Sequence, residues 1–267
     1  MLKDITIGQY FPGTTVVHKL DPRTKLVLVM AYIVALFLAK WFVSYAVLLI
    51  FLASVIAISR IRLSVILKSL KPLLFIIVLT AILNLFYGTG EPIFEFWIFK
   101  ITRDGLENAI FMVIRIALLI AGTFMLTYTT SPIALTDGLE TLLSPLKKIK
   151  VPVHELAMMM CIALRFIPTL LEETDKIMCA QKARGADFES GNLLARAKAM
   201  VPILVPLFIS AFRRADELAT AMECRCYHGG EGRTRMHQLR YARADAFAYL
   251  LGAVLVAGVV VLRNFGL

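Results

Sequence analysis

Five apolar runs, each close to the length of helix that spans a bilayer, constrain this chain more than any other feature. A hydrocarbon core about 30 Å thick is crossed by roughly 20 mostly apolar helical residues. Runs near that length extend from Leu26 to Ala39, Trp41 to Ser59, Pro72 to Tyr87, Asn108 to Tyr128 and Ala246 to Leu262. The first and third are short, so their ends are approximate, and either a tilt, an interfacial position or fusion with a neighbour would accommodate them. With 59% hydrophobic and 18% charged residues over 267 positions, the composition lies outside that of soluble globular domains. The expected fold is an all-α integral membrane protein with about five transmembrane helices and the lipid bilayer as its solvent.

The formal charge of +10 does not mark a nucleic-acid binder. Its basic residues collect between the apolar runs and form no aromatic-interleaved stripe, so no nucleic-acid partner is expected. Lysine and arginine in short connections stay on the cytoplasmic side. Arg60, Arg62, Lys68 and Lys71 crowd the second connection with no acid, whereas Gly88 to Glu107 sets Lys100 and Arg103 against four acids. This pattern predicts a multi-pass protein of the cell membrane with the N-terminus inside. The first 25 residues lack a signal-like apolar core, so the first hydrophobic helix is expected to be retained. Three regions follow: membrane helices over 1–128, a cytoplasmic module over 129–244 and a C-terminal membrane helix over 245–267.

Asp21 is placed to cap the first helix, with Pro22 in its first turn, where a missing N–H is harmless. Asp21 to Lys25 reads as an interfacial collar whose basic residues snorkel. Arg115 is a charge inside a span, which makes it a functional candidate by default, although snorkelling or pairing with Glu107 explains it as well. Asn84 reads as interhelical hydrogen-bonding glue.

The cytoplasmic module is rich in Leu, Ile, Met and Ala at helical spacing. Leu135, Leu139, Leu142 and Leu146 form one stripe, ending in Lys147, Lys148 and Lys150, and predict a helix lying on the membrane. After Pro152, Leu156, Met160, Ala163, Ile167 and Leu170 recur at four- and three-residue steps, predicting a long amphipathic arm. Pro168 is a possible bend, and Ala183-Arg184-Gly185 closes the arm with a glycine suited to a left-handed turn. A second arm starts near Leu193, carries Pro202 and Pro206, and ends in Cys224-Arg225-Cys226. Each arm thus finishes in an arginine between small side chains. A basic residue in the last helical turn commonly serves only the helix dipole; two such tips in one module point to two docking positions, because a guanidinium offers five donors to carboxylates or carbonyls.

Taken in order, these residues resemble the transmembrane coupling subunit, or T component, of energy-coupling factor (ECF) importers. The resemblance covers nearly the whole chain. It rests on His18-Lys19-Leu20-Asp21-Pro22-Arg23-Thr24-Lys25, on Leu135 to Glu173 including Leu164-Arg165-Phe166-Ile167-Pro168, and on the two arginine-tipped arms. It implies that the arms are crossed coupling helices whose tips dock on two ATP-binding cassette ATPase subunits. It further implies a small substrate-binding membrane protein, the S component, as partner, for uptake of vitamins or other micronutrients. The implied ATPase-docking residues are Ala183, Arg184 and Gly185, an intact match, and Cys224, Arg225 and Cys226, where cysteines replace both small neighbours.

No catalytic residue, cofactor or metal is expected. The chain has no Gly-x-x-x-x-Gly-Lys-Ser/Thr loop, and Gly229-Gly230-Glu231-Gly232 lacks the lysine and hydroxyl, so ATP hydrolysis belongs elsewhere. Cys224, Cys226, His228 and His237 cluster, but the single-residue spacing of the cysteines does not suit zinc. A cobalt- or nickel-dedicated relative would look similar, and a self-sufficient secondary transporter is the reading from another class. Such a transporter would be expected to place more polar groups near the midplane and to show repeated halves.

Overall fold

In the computed structural model the described residues are 10–86, 92–96, 99–188, 190, 192–230 and 238–265. The chain divides into two compact units, one over Leu143–Gln238 and the other chiefly over Ile7–Leu142 with Leu239–Leu267.

The larger unit is the membrane bundle. It begins with a short turn of helix, α1 (Val16–Lys19), and continues with α2 (Pro22–Leu38), α3 (Phe42–Ser59) and α4 (Leu63–Leu70). A 3-10 turn (Lys71–Leu73) joins α4 to α5 (Leu74–Phe86), so the apolar run expected to start at Pro72 begins at Leu63. Pro72 is tolerated because it lies in the first turn of the new segment. A two-stranded antiparallel hairpin, β1 (Pro92–Phe96) and β2 (Phe99–Thr102), occupies the next connection. Then follow α6 (Arg103–Thr129) and α7 (Pro132–Leu143), and the unit closes with the last helix of the chain (Arg243–Phe265).

Among the described residues, five helical stretches are long and apolar enough to cross a membrane: Phe42–Ser59, Leu63–Leu85, Gly105–Thr129, Val153–Ala183 and Arg243–Phe265. Four coincide with runs expected from sequence. The run at Leu26–Ala39 belongs to α2, whose 17 residues give about 26 Å of helix, a little less than the hydrocarbon thickness. Its place among the five is taken by the first arm, which qualifies on length and composition.

The core of the bundle joins Tyr32 and Leu36 of α2, Tyr45 and Leu48 of α3, Leu118 and Tyr128 of α6, and Val259 of the last helix. Between membrane helices close packing is the main attraction, and small residues permit it. At Gly122 a Cβ would lie 2.5 Å from the Tyr32 ring, and at Gly252 it would lie 2.4 Å from Leu28. These glycines let α6 and the last helix approach α2.

The Asp21 cap forms as expected: its Oδ1 accepts from the Arg23 N–H at 2.9 Å. The collar's cations, however, turn inward. Arg23 grips the Asp21 carboxylate through Nε and Nη2 at 3.0 and 2.8 Å and stacks on Tyr241. Lys25 is 6% exposed and donates from Nζ to the carbonyls of His18 and Thr129, at 3.0 and 2.9 Å. Thr129 ends α6, where unpaired carbonyls concentrate negative charge, and that is why the ammonium does not snorkel. Asp245 completes the junction by accepting from the N–H groups of Asp21 and Ala242, at 2.9 and 2.7 Å. The starts of α2 and the last helix and the end of α6 therefore meet in one polar knot.

Arg115 also finds partners within the bundle. Nε donates to the Tyr45 hydroxyl at 2.9 Å and Nη2 to the Ala39 carbonyl at 3.3 Å, which suffices to hold a guanidinium inside a bundle. Asn84 donates to the Thr80 carbonyl one turn back in its own helix, at 2.8 Å, so this contact is intrahelical where an interhelical one was expected.

The smaller unit holds the arms. The leucine stripe expected as one helix breaks after α7 at Ser144-Pro145, and residues Ser144–Ile149 tighten into 3-10 turns. We label the first arm α8 (Val153–Ala183), the second arm α9 (Leu193–Glu223) and the last helix of the bundle α10. Each arm has 31 residues, about 46 Å of helix. Pro168 lies within α8, and Pro202 and Pro206 lie within α9, and both helices continue through them.

Candidate functional site

The two arm tips share one backbone structure. At the end of α8, Gly185 N–H donates to Lys182 O at 3.0 Å and Ala186 N–H to Gln181 O at 3.0 Å. At the end of α9, Cys226 N–H donates to Glu223 O at 2.9 Å and Tyr227 N–H to Met222 O at 3.1 Å. Each is the pair of bonds, one spanning three residues and one spanning five, of a Schellman closure. The residue after each arginine takes the left-handed conformation, Gly185 at φ 88° and Cys226 at φ 55°. Arg184 and Arg225 hold the same position, the last before the chain reverses, and both are exposed. Neither guanidinium has an ion-pair partner among the described residues.

Ala183, Arg184 and Gly185 thus cluster at one tip, and Cys224, Arg225 and Cys226 at the other, all exposed. Around Gly185 a Cβ would meet nothing within 4 Å, so the left-handed turn alone selects glycine there. Cys226 accepts the same turn with a side chain. Cys224 and Cys226 are free thiols on this surface. Among the described residues no group of three or more His, Cys, Asp and Glu could hold a metal ion; His237 lies outside the described residues.

The arms pack on each other through a contact that the sequence did not reveal. Arg214 Nη2 of α9 donates to Glu173 Oε2 of α8 at 2.8 Å. A hydrogen bond from Ser210 is the main cause that holds the Glu173 carboxyl below its usual range; partial desolvation opposes it, and the Arg214 charge assists. Glu173 precedes Arg184 by eleven residues and Arg214 precedes Arg225 by the same eleven. At about 1.5 Å per residue each tip lies about 16 Å along its helix from the junction. This equal spacing is the signal in the sequence that could have located the junction.

Beside and beyond the junction the arms are strongly apolar at the surface. Met159 and Met160 of α8, and Val205, Phe208, Ile209 and Phe212 of α9, are all exposed, Phe212 at 68%. A soluble arm would not keep such a face uncovered. The arrangement presents two exposed guanidinium groups, each at a helix end, together with an exposed apolar surface along the arms.

The family described as CbiQ, cobalt transport protein, matches residues 13–237. The energy-coupling factor transporter transmembrane protein EcfT of Thermosediminibacter oceani is 56% identical over 262 residues, 98% of this chain and 99% of that one. The protein of the same name from Bacillus subtilis is 50% identical over 264 residues, 98% of this chain and 100% of its own.

Proposed function

The chain belongs to the CbiQ family and is the transmembrane component of an ECF transporter, a multi-pass membrane protein that is not an enzyme; from that premise we propose that α8 and α9 carry force between two separate ATP-binding cassette ATPases and a substrate-binding membrane subunit. Arg184 and Arg225 are the ATPase contacts. Each presents a rigid guanidinium at a helix end, suited to carboxylates or exposed carbonyls in a groove. The observation that carries the proposal is the pair of tips closed by the same two backbone bonds, each eleven residues beyond the Glu173–Arg214 junction. A symmetric pair of ATPases needs two equivalent handles, and separation of the ATPases moves both tips about that junction.

The exposed apolar face of the arms takes the S component, whose reorientation in the bilayer exposes cargo to each side in turn. The N-terminus and both arms face the cytoplasm, where ATP is found. That orientation follows from Arg60, Arg62, Lys68 and Lys71 between α3 and α5. It leaves α2, α3, the α4–α5 stretch, α6 and α10 as the membrane helices, with 129–244 as the coupling module. Cargo is chosen by the substrate-binding subunit, so the subunit that co-purifies distinguishes vitamin uptake from uptake of a metal ion such as cobalt.

The test is purification of the chain from native membranes in mild detergent, beside an Arg184→Glu plus Arg225→Glu variant. Two P-loop ATPases and a small hydrophobic protein should accompany the wild type, and the ATPases should be lost from the variant. A wild-type chain that repeatedly emerges alone while other membrane complexes survive would overturn the proposal in favour of a self-sufficient transporter.

A further inference from the structure

We propose that the bundle binds one anionic phospholipid in a groove where α3 turns into α4, with the phosphate on Arg60 and Arg62 and an acyl chain along α3. Two adjoining hollows build the groove. The apolar one, about 390 Å³, is lined by Leu49, Leu52, Ala53 and Ala57 of α3 with Leu63 and Leu118. The polar one, about 490 Å³, is lined by Thr14, Thr15, Ser59, Arg60 and Arg62 among others. They share Arg60 and Ile61, so the apolar channel opens directly at the guanidinium end.

Three observations favour a lipid anion as occupant. Leu49 and Leu63 are exposed on membrane helices, so the apolar hollow faces hydrocarbon. Arg60 and Arg62 are exposed at the mouth, and among the described residues they have no ion-pair partner and no acid lines either hollow. The groove is therefore complementary to net negative charge; a zwitterionic headgroup would bring its own cation against two arginines. Finally, Arg60 ends α3 in the left-handed conformation, at φ 56° and ψ 24°, where glycine is easier to accommodate. Retention of cations explains why arginine occurs in this connection and leaves unexplained why one occupies the residue that most favours glycine. A guanidinium required at the mouth of the groove explains it. The site depends only on the chain's membrane location, so it stands or falls separately from the coupling role.

The experiment uses the full chain in nanodiscs of equal phosphatidylcholine and phosphatidylglycerol. Lipid retained after detergent extraction is counted by native mass spectrometry. About one phosphatidylglycerol per chain should remain, at least tenfold above phosphatidylcholine. Arg60→Gly plus Arg62→Gln should reduce it about tenfold, and because glycine relieves the left-handed strain this variant should still fold. Ala53→Trp, which fills the channel while both arginines remain, should reduce it similarly, whereas Lys147→Gln plus Lys148→Gln should not. Equal retention of the two lipids would overturn the proposal. So would unchanged retention in the arginine variant, or an equal loss in the lysine control. Competition by glycerophosphoglycerol at the same concentration as the intact lipid would also overturn it, since that would show simple phosphate binding without the groove.

Discussion

The two arm tips reach one geometry from different sequences. Gly185 enters the left-handed turn at no steric penalty, whereas Cys226 enters it with a Cβ that crowds the backbone. The same three- and five-residue bonds close both helices. The recurring element is therefore an arginine on a Schellman turn, and glycine is only the easier way to make one. Small neighbours matter less than the Ala-Arg-Gly pattern suggests, since Cys224 and Cys226 flank Arg225 without changing the turn.

The largest test of that equivalence is reversal of each arginine alone. Arg184→Glu and Arg225→Glu should each lower ATPase recovery at least tenfold, since losing a central charged contact at an interface costs about 2 kcal/mol or more. Quantitative co-purification of both ATPases gives the measurement. If one variant releases its ATPase and the other retains both, the tips share a shape without sharing a task.

Changing the turn residue acts on a smaller scale. Gly185→Val forces a β-branched side chain into φ 88°, where space is free but the backbone is strained, and should destabilise the end of α8 by about 1–2 kcal/mol. Cys226→Gly should work in the opposite direction at the end of α9, by up to about 1 kcal/mol. Hydrogen exchange at the Ala186 and Tyr227 amides reports each turn directly. An unchanged Tyr227 amide in Cys226→Gly would mean that contacts around the cysteine already offset the strain.

Much of this contrast is legible in the sequence, and the missing part has a common cause. The arms, their ends and the arginines follow from apolar periodicity and from residues a few positions apart. So does the Asp21 cap. What escapes is whatever joins distant positions: Arg115 with Tyr45, Lys25 with Thr129, and Glu173 with Arg214. Inverting the collar needed the carbonyls that end α6, which no local pattern places beside Lys25. The hairpin at Pro92–Thr102 was missed because a search for apolar helices does not test for short strands.

The smallest expected effect concerns the junction that keeps the tips equivalent. Glu173 has its carboxyl held below the usual range by Ser210 and, against some desolvation, by Arg214. A depressed carboxyl contributes stability that is complete above its unfolded value and disappears as pH falls through the folded one. The junction should therefore weaken only in the acid range, below the ordinary glutamate value of about 4.3, and stay intact at neutral pH. Both partners are partly solvated, so the ion pair contributes only a few tenths of a kcal/mol. Glu173→Gln should accordingly leave the melting temperature nearly unchanged at pH 7 and flatten its fall below about pH 4.3. Its value lies in separating stability from coupling. If the junction is the pivot, Glu173→Gln retains both ATPases yet lowers the transport obtained per ATP hydrolysed, and equal transport per ATP would show that the tips move independently of the crossing.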